Sequence, residues 1–103
     1  MKSYVYKEFL KTPYQFAIVN FLDNELVAQA KTALMAGALL ALYGDAYNED
    51  DDFLCVIDKL HPQHTMMTMA EISLRYDCSE VRMLNIADNR RKAGFRVVRE
   101  RRV

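Results

Sequence analysis

Residues 68–95 read TMAEISLRYDCSEVRMLNIADNRRKAGF, in which two helix patterns are separated by a short polar break. Thr68 and Glu71 form a Thr-x-x-Glu capping box, which marks the start of a helix. The segment MAEISLRY then has the apolar spacing of a two-turn helix. The polar residues DCS at 77–79 interrupt that spacing, so the first helix ends there.

A second helix is predicted beyond this break. Ser79 is a typical N-cap, and Glu80 in the first turn suits the positive end of the helix dipole. Gly94 is a C-terminal stop, which places the last helical residue at about Lys92. The stretch therefore predicts two helices joined by a short corner, and the question is whether this corner only packs a core or also binds a partner.

The C-terminal segment FRVVRERRV, residues 95–103, alternates β-branched or aromatic residues with charges. It is predicted to be either a strand or a basic tail. Upstream of the corner, SYVYKEF at 3–9 is predicted to be a short strand, since tyrosine and valine favour sheets. Three further helices are predicted, at 13–22 after the N-cap Thr12, at 24–43, and at 53–60.

The longest of these helices carries small side chains along one stripe, at Ala30, Ala33, Gly37 and Ala41. Small side chains allow another helix to approach closely. Two explanations stay open, namely packing within the core and a seam between two copies in a homodimer. The apolar run 33–43 is too short to cross a membrane, so no membrane association is expected.

The 103 residues are enough for a single domain with one core. We expect a helical core or dimerisation part at 1–47 and a second part at 48–103. The formal net charge is zero, but residues 79–103 carry +5 and residues 1–78 carry −5. A basic C-terminal part suits an anionic partner such as nucleic acid, or else simply matches the acidic part of the same chain.

Residues 69–88 resemble the helix-turn-helix motif of bacterial and phage DNA-binding regulators. That motif has apolar residues at five positions, a small residue where the helices cross, and a left-handed residue at the turn. Ser73 and Asp77 occupy the last two positions, and the apolar positions hold Ile72, Tyr76, Cys78, Met83 and Ile86. Aspartate tolerates the left-handed conformation better than most side chains.

The resemblance extends over residues 52–99 to winged-helix domains, in which a strand follows the recognition helix. It implies a mainly α fold, with a helical N-terminal part, a C-terminal winged-helix-like helix-turn-helix and a short β element. It also implies that the second helix lies in the major groove while basic residues beyond it contact phosphates. The implied DNA-binding residues are Ser79, Glu80, Arg82, Asn85, Asn89, Arg90, Arg91, Lys92, Arg96 and Arg99.

The expected function is that of a small cytoplasmic regulator that acts by occupying a site on double-stranded DNA. The alternative is a protein-binding inhibitor or adaptor of the kind found in phages and other mobile elements. It would use the same fold, with Val81 and Leu84 on its surface, to engage a protein that handles nucleic acid.

No enzymatic activity, cofactor or metal is expected. Cys55, His61, His64 and Cys78 have the spacing of no standard zinc site. No glycine-rich elbow or phosphate loop accompanies either cysteine, and the acidic run at 48–52 lacks the ligand spacing of a calcium loop.

Overall fold

The computed structural model describes residues 3–22, 24–48, 54–64 and 66–97 of the chain. Helices and strands are mixed along these residues. Their order is α1 (Ser3–Leu10), β1 (Phe16–Asn20), β2 (Glu25–Ala30), α2 (Ala33–Asn48), β3 (Leu54–Asp58), α3 (Met69–Tyr76) and α4 (Glu80–Lys92). The strands form one antiparallel sheet in the order β2–β1–β3.

The central strand β1 organises the sheet. Phe16 at its start lies opposite Ala30 of β2 on one side and Asp58 of β3 on the other. All five residues of β1 are buried because both faces of the sheet are covered. The register of the β1–β2 pairing shifts by one residue between Ile18 and Val19. β3 also forms an isolated bridge between Val56 and Met67.

The two faces of the sheet support two groups of buried side chains. On one face, Phe9 of α1 packs with Val19 and Cys55. On the other face, α2 covers Ile18 and Val56. The chain is therefore layered, with α1 below the sheet, α2 above it, and α3 and α4 packed against α2.

Helix α2 lies between the sheet and α4, so it is apolar on nearly all sides. The Oγ1 atom of Thr32 accepts a hydrogen bond from the backbone N–H of Met35 at 3.2 Å and caps the helix start. Gly37 faces Met83 of α4 so closely that a Cβ atom there would lie 2.2 Å from the methionine sulfur. The close approach that the small residues allow at this position is thus made within the chain.

Several predicted elements are wrong. The segment predicted as a strand at 3–9 is helix α1, and the helix predicted at 13–22 is strand β1. The helix predicted at 24–43 starts later, because residues 25–30 form β2, and it continues through Gly44 to Asn48. The helix predicted at 53–60 is strand β3 in its described part.

These errors have a common physical cause. A strand buried on both faces is a short continuous apolar run, such as FAIVN or LCVID, and its periodicity does not distinguish it from a buried helical segment. Helix propensity favoured helix for ELVAQA, but pairing with β1 decides its conformation. Strand propensity for SYVYKEF is likewise weak and depends on context.

The predicted fold class, a mainly α protein with a C-terminal winged-helix-like part, is also wrong. The protein is an α/β fold with a three-stranded antiparallel sheet. Two of the three strands precede α2, whereas a winged helix has its wing after the recognition helix. Residues 95–97 after α4 form no strand, and residues 98–103 lie outside the described residues.

Among the described residues, no helix combines the length and apolar character that crossing a membrane would require.

Candidate nucleic-acid interface

The corner between α3 and α4 has the local structure that the sequence predicts. Thr68 caps α3 by accepting a hydrogen bond from the backbone N–H of Glu71 at 3.2 Å, and Ser79 caps α4 in the same way. Asp77 between them is left-handed, with φ 53° and ψ 51°. The Ser73 hydroxyl donates to the carbonyl oxygen of Cys78 at 2.5 Å and ties the corner to α3.

The five apolar positions of the motif all point at least partly inward. Ile72 and Met83 are fully buried, while Tyr76, Cys78 and Ile86 are half-buried. Both α3 and α4 pack chiefly against α2 rather than against each other. These three helices therefore form a unit in which the buried side of α4 is set by Met83 and Ala87.

Four of the predicted DNA-binding residues form one exposed stripe on α4. Arg82, Asn85, Asn89 and Lys92 are spaced by three, four and three residues, which places them along one side of the helix. All four are exposed, and no side chain within the described residues forms a hydrogen bond or ion pair with theirs. None of these four positions holds an acidic residue, and Asp88, which flanks them, is bonded to Arg91.

Arg91 lies on the other side of α4, and its side chain is bound by other groups of the chain. Its guanidinium bonds to the carboxylates of Asp45 at 2.9 Å and Asp88 at 2.8 Å, and to the backbone oxygen of Ala41 at 3.1 Å. The bonds to Asp45 and Ala41 join α4 to α2. Arg91 therefore stabilises the helical unit and does not belong to the stripe.

The remaining predicted residues are also placed away from the stripe. Ser79 is the cap, and Glu80 is exposed in the first turn of α4, on the side of the helix that also carries Leu84. Arg90 is exposed with its guanidinium 3.8 Å from the sulfur of Met35, and Arg96 donates to the backbone oxygen of Phe95. Arg99 lies outside the described residues.

A groove opens on the side of α4 that carries Arg91. It has a volume of about 550 Å³ between α2, α3 and α4. Leu40, Leu54, Met69 and Leu84 give it an apolar lining. Leu84 is 46% exposed, so an aliphatic side chain of α4 stays open to solvent beside the groove.

The structure also reveals a polar cluster around Asp58 that the sequence did not predict. Asp58 as a residue is 1% exposed, and its side chain is fully buried. It accepts hydrogen bonds from the Tyr76 hydroxyl at 2.5 Å, the His61 Nδ1 at 2.8 Å, the Leu60 backbone N–H at 2.8 Å and the Gln15 amide at 3.2 Å. The cluster thus joins the end of β3 to the last residue of α3.

The charges in this cluster follow from its hydrogen bonds. Burial acts to raise the pKa of Asp58, but the bonds from Tyr76, His61, Leu60 and Gln15 outweigh it and hold the pKa below its usual range. Burial, together with the bond to the Asp58 carboxylate, raises the pKa of Tyr76. Asp58 is therefore an ionised acceptor and Tyr76 a neutral donor.

A sequence signal for this cluster exists. Asp58 ends the apolar run LCVID, and aspartate is almost never fully buried without a partner. His64 belongs to the same surface, since its ring stacks on that of His61 with centroids 5.2 Å apart. Nothing in the sequence identifies Tyr76 as the main donor, because α3 brings it back to β3 from 18 residues away.

The cysteines do not show the features of reactive or metal-binding groups. Burial raises the pKa of Cys55 to about 11, and burial with the nearby Asp77 raises that of Cys78. Both thiols are free. Within the described ranges, no three histidine, cysteine, aspartate or glutamate side chains are grouped so that they could hold a metal ion.

Comparisons of the chain with protein-family models, with curated proteins and with solved structures found no match.

Proposed function

We propose that this protein binds double-stranded DNA through α4 and acts by occupying its site. The observation that carries this proposal is the stripe of Arg82, Asn85, Asn89 and Lys92, which is exposed, free of acids and presented by a helix that the corner at Asp77 holds in place. A protein of this kind would act on DNA in the cytoplasm.

The side chains of the stripe suit two kinds of contact, to bases and to phosphates, in the major groove, which is wide enough to admit a helix. Asparagine can form two hydrogen bonds to adenine, so Asn85 and Asn89 would contact base edges. Arg82 and Lys92 lie at the two ends of the stripe, roughly 15 Å apart along the helix axis. They would contact phosphates, which gives affinity without sequence preference.

The first test is the selection of bound duplexes from a random pool, followed by binding measurements over a range of salt concentrations. Removing two phosphate contacts with Arg82→Ala and Lys92→Ala should reduce the slope of log affinity against log salt by about 2. Asn85→Ala should cost about 1–3 kcal/mol at one base pair and relax the preference there.

A charge-matched control separates a local contact from the effect of net charge. Lys7→Ala with Lys11→Ala removes the same number of charges from α1 and the turn that follows it, on the far face of the sheet, where both side chains are exposed. This variant should bind DNA with the wild-type salt slope. An absence of duplex binding by the wild type at low salt would overturn the proposal, as would equal losses in the two double variants.

The second candidate function is that of a protein-binding inhibitor or adaptor. One observation favours it, namely that Val81 and Leu84 remain 65% and 46% exposed on α4. Leu84 lies outside the stripe, whereas Val81 borders it one helical turn before Asn85.

A further inference from the structure

The groove beside Leu84 is part of a larger apolar surface. Val81 lies one helical turn before Leu84 on α4. On α3, Ala70 lines the groove, and Leu74 follows it by four residues on the same side of the helix. Leu74 is 85% exposed. Of these exposed side chains, Leu84 lines the groove itself, while Leu74 and Val81 each lie one helical turn from a residue that lines it.

The apolar lining and its position among three helices suit a helix as the occupant. The groove lies among α2, α3 and α4, and an amphipathic helix buries its apolar side in such a site through residues spaced by three and four. Its lining combines leucine with Met69, whose flexible side chain adapts to the shape of a partner.

The charges around the groove indicate the sign of the partner's charge. Asp45 and Asp88 are 78% and 57% exposed at the side chain and share a single cation, Arg91. Glu80 is also exposed on α4. The excess of acids favours a basic partner.

The same charges disfavour a second copy of this chain. A symmetric dimer places equivalent surfaces against each other, so Asp88 and Glu80 of each copy would face acids of the other. The basic stripe at Arg82 and Lys92 offers no apolar side chain to enter the groove.

We propose that the groove between α2, α3 and α4 binds a basic amphipathic helix of a partner protein, with Leu74, Val81 and Leu84 as its apolar contacts. This proposal gives the second candidate function its partner chemistry, and it does not depend on DNA binding. Lysine or arginine side chains flanking the apolar side of the partner helix would face the carboxylates of Glu80, Asp45 and Asp88.

The test uses two synthetic helices as probes. Both carry leucine at positions spaced by three and four; one has lysine at the remaining positions and the other has glutamate. Fluorescence anisotropy should show binding of the lysine helix to the wild-type protein and no comparable binding of the glutamate helix. Leu84→Asp should weaken the binding of the lysine helix at least tenfold, because burial of one leucine side chain contributes a factor of roughly 10 to 100 to the affinity.

A matched control variant is Leu10→Asp. Leu10 is 47% exposed, close to the 46% of Leu84, but it lies on α1 at the opposite face of the sheet. It should leave the affinity for the lysine helix unchanged. Val81→Asp provides a second groove variant, at a more exposed position, in case Leu84→Asp reduces the folded fraction seen by circular dichroism.

Three outcomes would overturn the proposal: no binding of the lysine helix, equal binding of both helices, or equal weakening by Leu10→Asp and the groove variants. Light scattering adds a fourth. A wild-type dimer that Leu84→Asp converts to a monomer would identify a second copy as the occupant. The stripe variant of Arg82 and Lys92 should bind the lysine helix as the wild type does, so failure of DNA binding and failure of groove binding are separately visible.

Discussion

Replacing Gly37 by alanine should destabilise the fold through one buried contact between α2 and α4. A Cβ atom at Gly37 would lie 2.2 Å from the sulfur of Met83 and 2.8 Å from both its Cγ and Cε atoms. Non-bonded heavy atoms prefer separations of about 3.5–4.0 Å, so the sulfur must retreat by more than about 1 Å. Met83 is fully buried, and a close-packed interior leaves it little space for that movement.

The expected magnitude combines two opposing effects. Overpacking a core costs about 1–3 kcal/mol, and removing a glycine from a helix interior returns up to about 1 kcal/mol. Three atoms of Met83, including the Cγ near its backbone, are affected together, which places the overpacking cost in the upper part of its range. The free energy of unfolding should therefore fall by about 1–2 kcal/mol.

Urea denaturation followed by circular dichroism measures this change in four proteins: the wild type, Gly37→Ala, Met83→Ala and the double variant. Met83→Ala alone should cost about 2–5 kcal/mol because it leaves a cavity. In that background the new methyl group enters vacated space, so Gly37→Ala should be neutral or stabilising. If Gly37→Ala destabilises both backgrounds equally, the two residues do not meet and the packing argument fails.

Two further predictions concern the Asp58 cluster and the corner. Tyr76→Phe should lower the free energy of unfolding by about 1–3 kcal/mol, because a buried carboxylate loses a donor, whereas Tyr43→Phe should not. The pKa of Asp58 is lowered in the folded state, so the ionised carboxylate stabilises the fold above about pH 4, and this stabilisation is lost as the pH falls through the folded pKa. The loss of unfolding free energy caused by Tyr76→Phe should therefore become smaller in acid. A loss that does not change with pH would contradict this. At the corner, Asp77→Val should cost about 1–2 kcal/mol in thermal or urea unfolding because its backbone is left-handed, and Asp77→Gly should cost nothing; equal losses would contradict a conformational cause.

The two candidate surfaces depend on tertiary structure to different degrees. The sequence predicted the residues of the stripe as part of a longer set, and the helical spacing of Arg82, Asn85, Asn89 and Lys92 was available without coordinates. That Arg91 does not join them depends on Asp45, which α2 brings to within 2.9 Å of its guanidinium. The groove likewise exists only because three helices converge.

Local chemistry by itself determined α3, its corner and α4. Thr68, Ser79 and Gly94 act through hydrogen bonds and backbone conformations within a few neighbouring residues, so their effect is visible in sequence. Long-range pairing decided the sheet. FAIVN and LCVID become strands because β1 lies between β2 and β3. The residues of β3 are 34 to 42 positions away from their partners in β1, and no local pattern encodes those partners. The buried Asp58 was decided in the same way, since its main donor, Tyr76, reaches it only when α3 folds back against the end of β3.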